Sequence, residues 1–321
     1  MSSVFSRIRK TCADVAARAR WVAIEHDRLQ RYAETLDVLG SLPMSHTEEH
    51  HLLGRGEDTL IYFVLLDSIN FGSGYFPHLE KGRSLSGYFT IAKKLKEYCL
   101  AGIPQPADLL RLDAKSCADM FGQDFADPHM QELMELFATA FNQLGRWVVD
   151  HYGGDYLGFL KRCGRLEDAV AALLKMPFYR DYTTYRGKKA CFLKRAQILL
   201  HDLQIAEPGS ALLQFGGFEA LTVFADNILP FVLQADGILR YDPWLEKRIR
   251  AEELIAPGST EEIELRACSI HAAELLKPRI IEQSRRPITA REIDYCLWNR
   301  GQELRKTATL DKPHRTRCVY Y

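Results

Sequence analysis

The chain has 321 residues, 47% of them apolar and 26% charged, a composition that buries a large core and excludes global disorder. Its 42 Lys and Arg are balanced by 42 Asp and Glu, so the net basic charge that drives salt-dependent binding to long nucleic acid is absent. A small molecule, not a polymeric nucleic acid, is the expected partner. The eight cysteines (Cys12, Cys99, Cys117, Cys163, Cys191, Cys268, Cys296 and Cys318) form no CxxC pair. Free thiols in a reducing cytoplasm are expected.

In chain order, residues 1–21 lack the apolar stretch of a secretion signal and read as an amphipathic helix. Residues 60–66 form the longest apolar run, far too short to span a bilayer, so no membrane association is expected. Such a run suits a buried helix or a buried strand equally. The helical reading carries it through Asp67 to Phe71, with Gly72-Ser73-Gly74 as terminator. Further helices are predicted over residues 130–151, 166–174 and 192–203. The first of these places Leu133, Leu136, Phe137, Phe141, Leu144 and Val148 on one face.

Residues 177–187, rich in aromatics and charge, suggest a turn or a short hairpin. Ser259-Thr260-Glu261-Glu262 and Thr289-Ala290-Arg291-Glu292 match the S/T-x-x-E capping box and mark two more helix starts. Pro278 is expected to close the first. Period-two alternation is scarce, and no repeat or long linker divides the sequence. The expected architecture is all-α, one compact domain over residues 1–321 with at most a small β-hairpin. The oligomeric state is left open.

Polar residues in apolar settings are the informative ones, because a buried carboxylate costs several kcal/mol unless it is paired or hydrogen-bonded. Asp226 is the only ionisable side chain in the stretch 221–233, and Pro230 is expected to open the helical turn at its carbonyl. A helix cap, or a partner for a buried Arg, explains Asp226 as well as a catalytic role does. On a helix Lys194, Ile198 and His201 share one face, with Gln197 beside them. A lysine there suits a phosphate, although a solvated Lys194-Arg195 pair is the commoner arrangement. Asp67 and Asn70 lie three residues apart on one helical face, where a structural hydrogen-bonded pair is the ordinary explanation. The adjacent His50-His51 lacks helical metal-site spacing, and HExxH, G-x-S-x-G and Walker-type loops are missing. No metal or cofactor is expected.

Several stretches, in order, resemble the queuosine-salvage family, the queuosine 5'-phosphate N-glycosylases. They are Leu65-Leu66-Asp67-Ser68-Ile69-Asn70-Phe71; Phe178, Asp181 and Tyr185-Arg186-Gly187; Phe192-Leu193-Lys194-Arg195-Ala196-Gln197-Ile198; and Leu221-Thr222-Val223-Phe224-Ala225-Asp226. The stretches 262–269, 293–298 and 314–321 are similar too. The resemblance implies an all-α fold related to helix-hairpin-helix DNA glycosylases, and release of queuine from queuosine 5'-monophosphate by water without a metal. It implies that Asp226 is the catalytic carboxylate and that Lys194 lies near the 5'-phosphate. Asp67, Asn70, Asp294 and Trp298 become substrate-pocket positions.

Family members commonly follow Phe-Ala-Asp with Tyr-Arg and then Pro-Gln; Asn227, Ile228, Pro230 and Phe231 stand there instead. Two other readings therefore stand beside the first: a glycosidase for another 7-deazaguanine nucleoside or nucleotide, and a catalytically silent helical binding protein.

Overall fold

A computed structural model describes residues 3–83, 85–306 and 312–321. The helices of the first half are α1 (Val4–Ala16), α2 (Leu29–Thr35), α3 (Glu57–Ser68), α4 (Gly87–Leu100), α5 (Pro106–Leu109), α6 (Ala114–Phe121) and α7 (Pro128–Tyr152). Then come α8 (Gly158–Lys161), α9 (Leu166–Leu173), α10 (Lys194–Ala206), α11 (Ile228–Ala235), α12 (Pro243–Arg250), α13 (Thr260–Ser284) and α14 (Ala290–Lys306). The all-α expectation holds. Buried apolar side chains from Phe5 to Leu297 form one continuous core. Helix α13 packs against α1, α2 and α11, α3 packs against α10, and α14 lies on α11.

Two small antiparallel ribbons complete the structure. Strands β1 (Val22–Ile24) and β4 (Leu239–Tyr241) pair Val22 with Tyr241; three-residue strands are too short to show alternation in sequence. Strands β2 (Tyr182–Tyr185) and β3 (Lys188–Cys191) form the hairpin suggested by residues 177–187. Its two turn residues, Arg186 (φ 46°) and Gly187 (φ 79°), are both left-handed, the geometry that matches strand twist in a two-residue hairpin.

Three expectations are corrected. The apolar run is a helix buried on almost every side, but α3 stops at Ser68, not Phe71. The reason is a long-range cap: the buried Arg195 guanidinium donates to the carbonyls of Asp67 (Nη2, 3.1 Å) and Ser68, where the helix dipole favours a cation. Pro278 does not close α13, which runs through it to Ser284. The flanking Leu276 and Ile280 are buried, and the Arg279 guanidinium takes up the Leu275 carbonyl beside the disturbed turn. Pro230 opens no turn, because it sits in the first turn of α11, where amides have no helical partner anyway. Asp226 therefore lies before the helix.

One buried ion pair ties three of these parts together. Arg266 on α13 grips both carboxylate oxygens of Asp181 beside the hairpin (2.9 and 2.6 Å) and donates through Nε to the Ala225 carbonyl (3.0 Å). Its guanidinium also lies 4.0 Å over the Phe192 ring. Removing Asp181 leaves the Arg266 charge in the core with the more distant Glu262 (Oε1, 3.4 Å) as its carboxylate partner. Asp181→Ala is expected to lower unfolding free energy by about 3–5 kcal/mol in a urea titration; a loss under about 1 kcal/mol would show that water replaces the carboxylate.

Candidate active site

The segment 221–225 leading to Asp226 belongs to no helix or strand, yet it is buried. Several of its backbone groups are held by side chains. Gln197 accepts from the Thr222 amide (2.9 Å) and donates to the Thr222 hydroxyl (3.0 Å). Asp294 accepts from the Phe224 amide (2.6 Å), and Arg266 holds the Ala225 carbonyl. At the end of this rail, Asp226 Oδ1 accepts from the Ile228 amide (2.8 Å) and the Leu229 amide (3.2 Å), capping α11. The capping reading of Asp226 is thus realised, and both amide bonds go to one oxygen.

The same side chain lines a cavity of about 690 Å³, within the usual range for small-molecule sites. Asp226 is only partly exposed. Burial raises its pKa above the ordinary carboxylate value, and Lys194, the two amides and Arg266 oppose the shift. Lys194 is buried too; burial lowers its pKa, while Asp226 first and Asp67 second hold its proton on. Its Nζ meets the backbone carbonyl and side-chain oxygen of Asn70 (3.4 and 3.3 Å).

Asn70 in turn donates to Asp67 Oδ1 (2.7 Å). Asp67 is completely buried, does not line the cavity, and leaves Oδ2 without a hydrogen-bond partner. Burial pushes its pKa up to about 6 against the pull of Asn70, Lys194 and Arg195.

The face predicted for α10 is seen: Lys194, Ile198 and His201 all line the cavity, and Asp202 and Ile205 continue it. Asp294 and Trp298 on α14 line it as well. The pKa of Asp294 is raised well above the usual range, by burial first and by the charge of Asp226 as well. Asp202, also pushed well up by burial, lies 3.8 Å from His46 Nε2. Burial drives His46 down to about 3 and His51 to about 4, so both rings are neutral near pH 7. Phe224, Tyr88, Phe89 and Trp298 supply aromatic walls.

Asp226, Lys194, Asn70, Asp294 and Trp298 therefore meet at one cavity, and Asp67 stands behind it. Sequence reasoning does not single out Asp202, His46, His51 or the aromatics of α4. Asp202 is within its reach, four residues beyond Ile198 on the same helical face. His46 and His51 lie in a long irregular connection that carries no periodic signal. Away from the cavity lining, His78, Asp127 and His129 bring ligand atoms within 4.8 Å of one another, a grouping invisible in sequence because α7 and a distant loop supply it. All eight cysteines are free thiols. No described helix is long and apolar enough to cross a membrane.

The fold and cavity define an all-α protein whose half-buried carboxylate Asp226 lines a cavity of small-molecule size. The chain belongs to the queuosine salvage protein family, whose model matches residues 50–321. It is similar over nearly its whole length to proteins named queuosine 5'-phosphate N-glycosylase/hydrolase. That of Sphaerobacter thermophilus is 32% identical, over 97% of this chain and 96% of the relative. That of Mus musculus is 30% identical over 98% of each. That of Schizosaccharomyces pombe is 31% identical over 84% and 83%.

The raised pKa of Asp67 has a thermodynamic consequence. Between its unfolded value of 3.8 and about 6 the folded protein binds the extra proton, so this group's favourable contribution is lost as pH rises through that window. Asp67→Asn removes the titration and keeps an acceptor for Asn70. The stability of wild type minus that of the variant should fall between pH 4 and pH 7 in urea titrations. A difference independent of pH would place the shift elsewhere.

Proposed function

We propose that this chain is an N-glycosidase that hydrolyses queuosine 5'-phosphate to queuine and ribose 5-phosphate, through a single domain over residues 1–321 acting in the cytoplasm. The observation that carries the reading is Asp226: one oxygen is fixed by two amides, a buried lysine is the chief charge opposing its protonation, and the side chain lines the cavity. Family membership supplies the substrate.

Hydrolysis breaks the bond between C1' of the ribose and the base nitrogen, and positive oxocarbenium character builds on the sugar. A preorganised carboxylate stabilises that charge and takes the proton of the attacking water, whose oxygen ends on C1'. Asp226 fills both roles. Lys194 opposes the burial that raises its pKa, and the Ile228 and Leu229 amides fix its place. The base must leave with a proton or strong hydrogen bonds. A 7-deazapurine has no N7 to protonate, so help must come at its other edges. Asp294 is the group for that work, since burial and the charge of Asp226 push its pKa well up, toward the protonated carboxyl that could donate to the base. Trp298 and Phe224 offer faces for the heterocycle.

Asp226→Asn should fold normally, because an amide oxygen still caps α11, and should release queuine from queuosine 5'-phosphate roughly 100-fold or more slowly by chromatography. Turnover near wild type would reject the role. Lys194→Met should move the acid limb of the pH–rate profile to higher pH, since the ammonium that lowers the Asp226 pKa is gone. An unmoved limb would detach Lys194 from Asp226.

A further inference from the structure

Off the cavity, three side chains from two segments converge on one point. His78 belongs to the tight turns that follow α3, while Asp127 caps α7 and His129 lies in its first turn. One ligand atom of each, a ring nitrogen or a carboxylate oxygen, lies within 4.8 Å of the other two. His78 Nδ1 is 4.0 Å from Asp127 Oδ2. The two imidazole rings pack with centroids 3.9 Å apart, tilted by 54°. Among the described residues their ring nitrogens take no hydrogen bond, and the approach to Asp127 is too long to be one.

Each ligand is positioned from behind. Asp127 spends Oδ1 on the His129 amide (2.7 Å), which leaves Oδ2 as the oxygen that approaches His78. Pro128 between them has a fixed φ suited to the first position of a helix, so carboxylate and imidazole leave α7 at a set spacing. On the other side the His78 amide donates to the Tyr75 carbonyl (2.9 Å). Two residues later Gln123 grips the Glu80 amide (2.9 Å) and carbonyl (3.1 Å). A tetrahedral ion with bonds of about 2.0–2.2 Å holds its ligand atoms roughly 3.3–3.6 Å apart. The His78 and Asp127 side chains are 32% and 31% exposed, so small rotations close the remaining gap.

We propose that His78, Asp127 and His129 bind one divalent transition-metal ion of the zinc class, with water completing the coordination, and that the ion clamps the turns after α3 to the start of α7. Two imidazoles and one carboxylate suit zinc, whereas magnesium and calcium demand oxygen ligands. Arg317 and Arg315 also act on His78 by charge, which further disfavours an ion held by charge alone. Both are directed elsewhere, Arg317 to Glu132 (3.3 Å) and Arg315 to the carbonyls of Glu252 and Gly74 (3.4 Å each). Phe76 and Pro77, which directly precede His78, line the cavity, so the clamp steadies one of its walls. The inference is independent of the glycosidase reading, because no step of that reaction passes through the ion.

The test is calorimetric titration of zinc chloride into the intact, chelator-stripped wild-type chain and into His78→Gln, His129→Gln and Asp127→Asn. The three side chains are partly exposed and an Asn still caps α7, so the variants should unfold in urea as wild type does without metal. Wild type should bind one zinc ion. Each variant should bind it at least 10- to 100-fold more weakly, about the loss that follows removal of even an outer partner of a metal site. No uptake by wild type, or unchanged affinity in both histidine variants, would overturn the proposal. Cobalt(II) bound to wild type should show no thiolate charge-transfer absorption; such a band would assign the ion to a cysteine and overturn it equally. The clamp is read by hydrogen exchange of the Tyr75, Phe76, His78 and Leu79 amides, which donate within the turns. With zinc at about ten times its Kd they should exchange roughly 10-fold more slowly in wild type and unaltered in His129→Gln. Exchange in wild type that ignores bound zinc would remove the clamp.

Discussion

A buried segment outside any helix or strand must find partners for every amide and carbonyl it carries, since each one left unsatisfied costs free energy comparable to a lost hydrogen bond. Three of the backbone groups in residues 221–225 find side-chain partners on three helices. Gln197 of α10 holds Thr222, Asp294 of α14 holds Phe224, and Arg266 of α13 holds Ala225. Asp226 then closes the segment on the first amides of α11. The carboxylate is placed by this rail and not by its own helix. Its position is therefore set jointly by three helices, and any shift of one against another moves it.

The grips are themselves charged, which extends the constraint outward. Arg266 is tolerable in the core because Asp181 takes two of its nitrogens and aromatic rings cover its faces, Phe192 at 4.0 Å and Tyr321 at 4.8 Å. Arg195 is tolerable because it spends its donors on carbonyls at the end of α3 and on those of Phe178 and Val319 (3.0 and 2.9 Å). Glu264 accepts from the backbone of Arg20, Trp21 and Val22 and from the Tyr185 hydroxyl. The stretches that carry the family resemblance thus meet through buried polar bonds in this structure. Their residue types are demanded by one another, and much of the likeness reflects scaffold rather than chemistry.

That division explains which features are legible in the sequence. Helices with strong periodicity are: the predicted span of α7 lies within two residues of the observed one at either end, and the capping box at Thr289 is reciprocal, with Thr289 and Glu292 serving each other's amides. The face of α10 is legible because Lys194, Ile198 and His201 repeat at helical spacing. Endings are not. The stop of α3 at Ser68 depends on Arg195, more than a hundred residues away, and the passage of α13 through Pro278 depends on burial at either side. The contribution of His46, and the retreat of Asp67 behind Asn70, are tertiary facts with no local trace.

The spacing of Asp294 from Asp226 depends on how closely α11 and α14 approach. Gly301 is buried against α11, and a Cβ there would come within 2.3 Å of Ile228 Cγ2 and 3.0 Å of Val232 Cγ2. No larger residue fits without pushing the helices apart. Asp294 lies two turns before Gly301, so the same close contact fixes it against Asp226 at the head of α11. The apolar Ile228, where a family member commonly has a large polar side chain, fills this seam. A wider separation would lift Asp294 from the Phe224 amide. The spacing of Asp294 from Asp226 is in this sense set by the absence of a single methyl group.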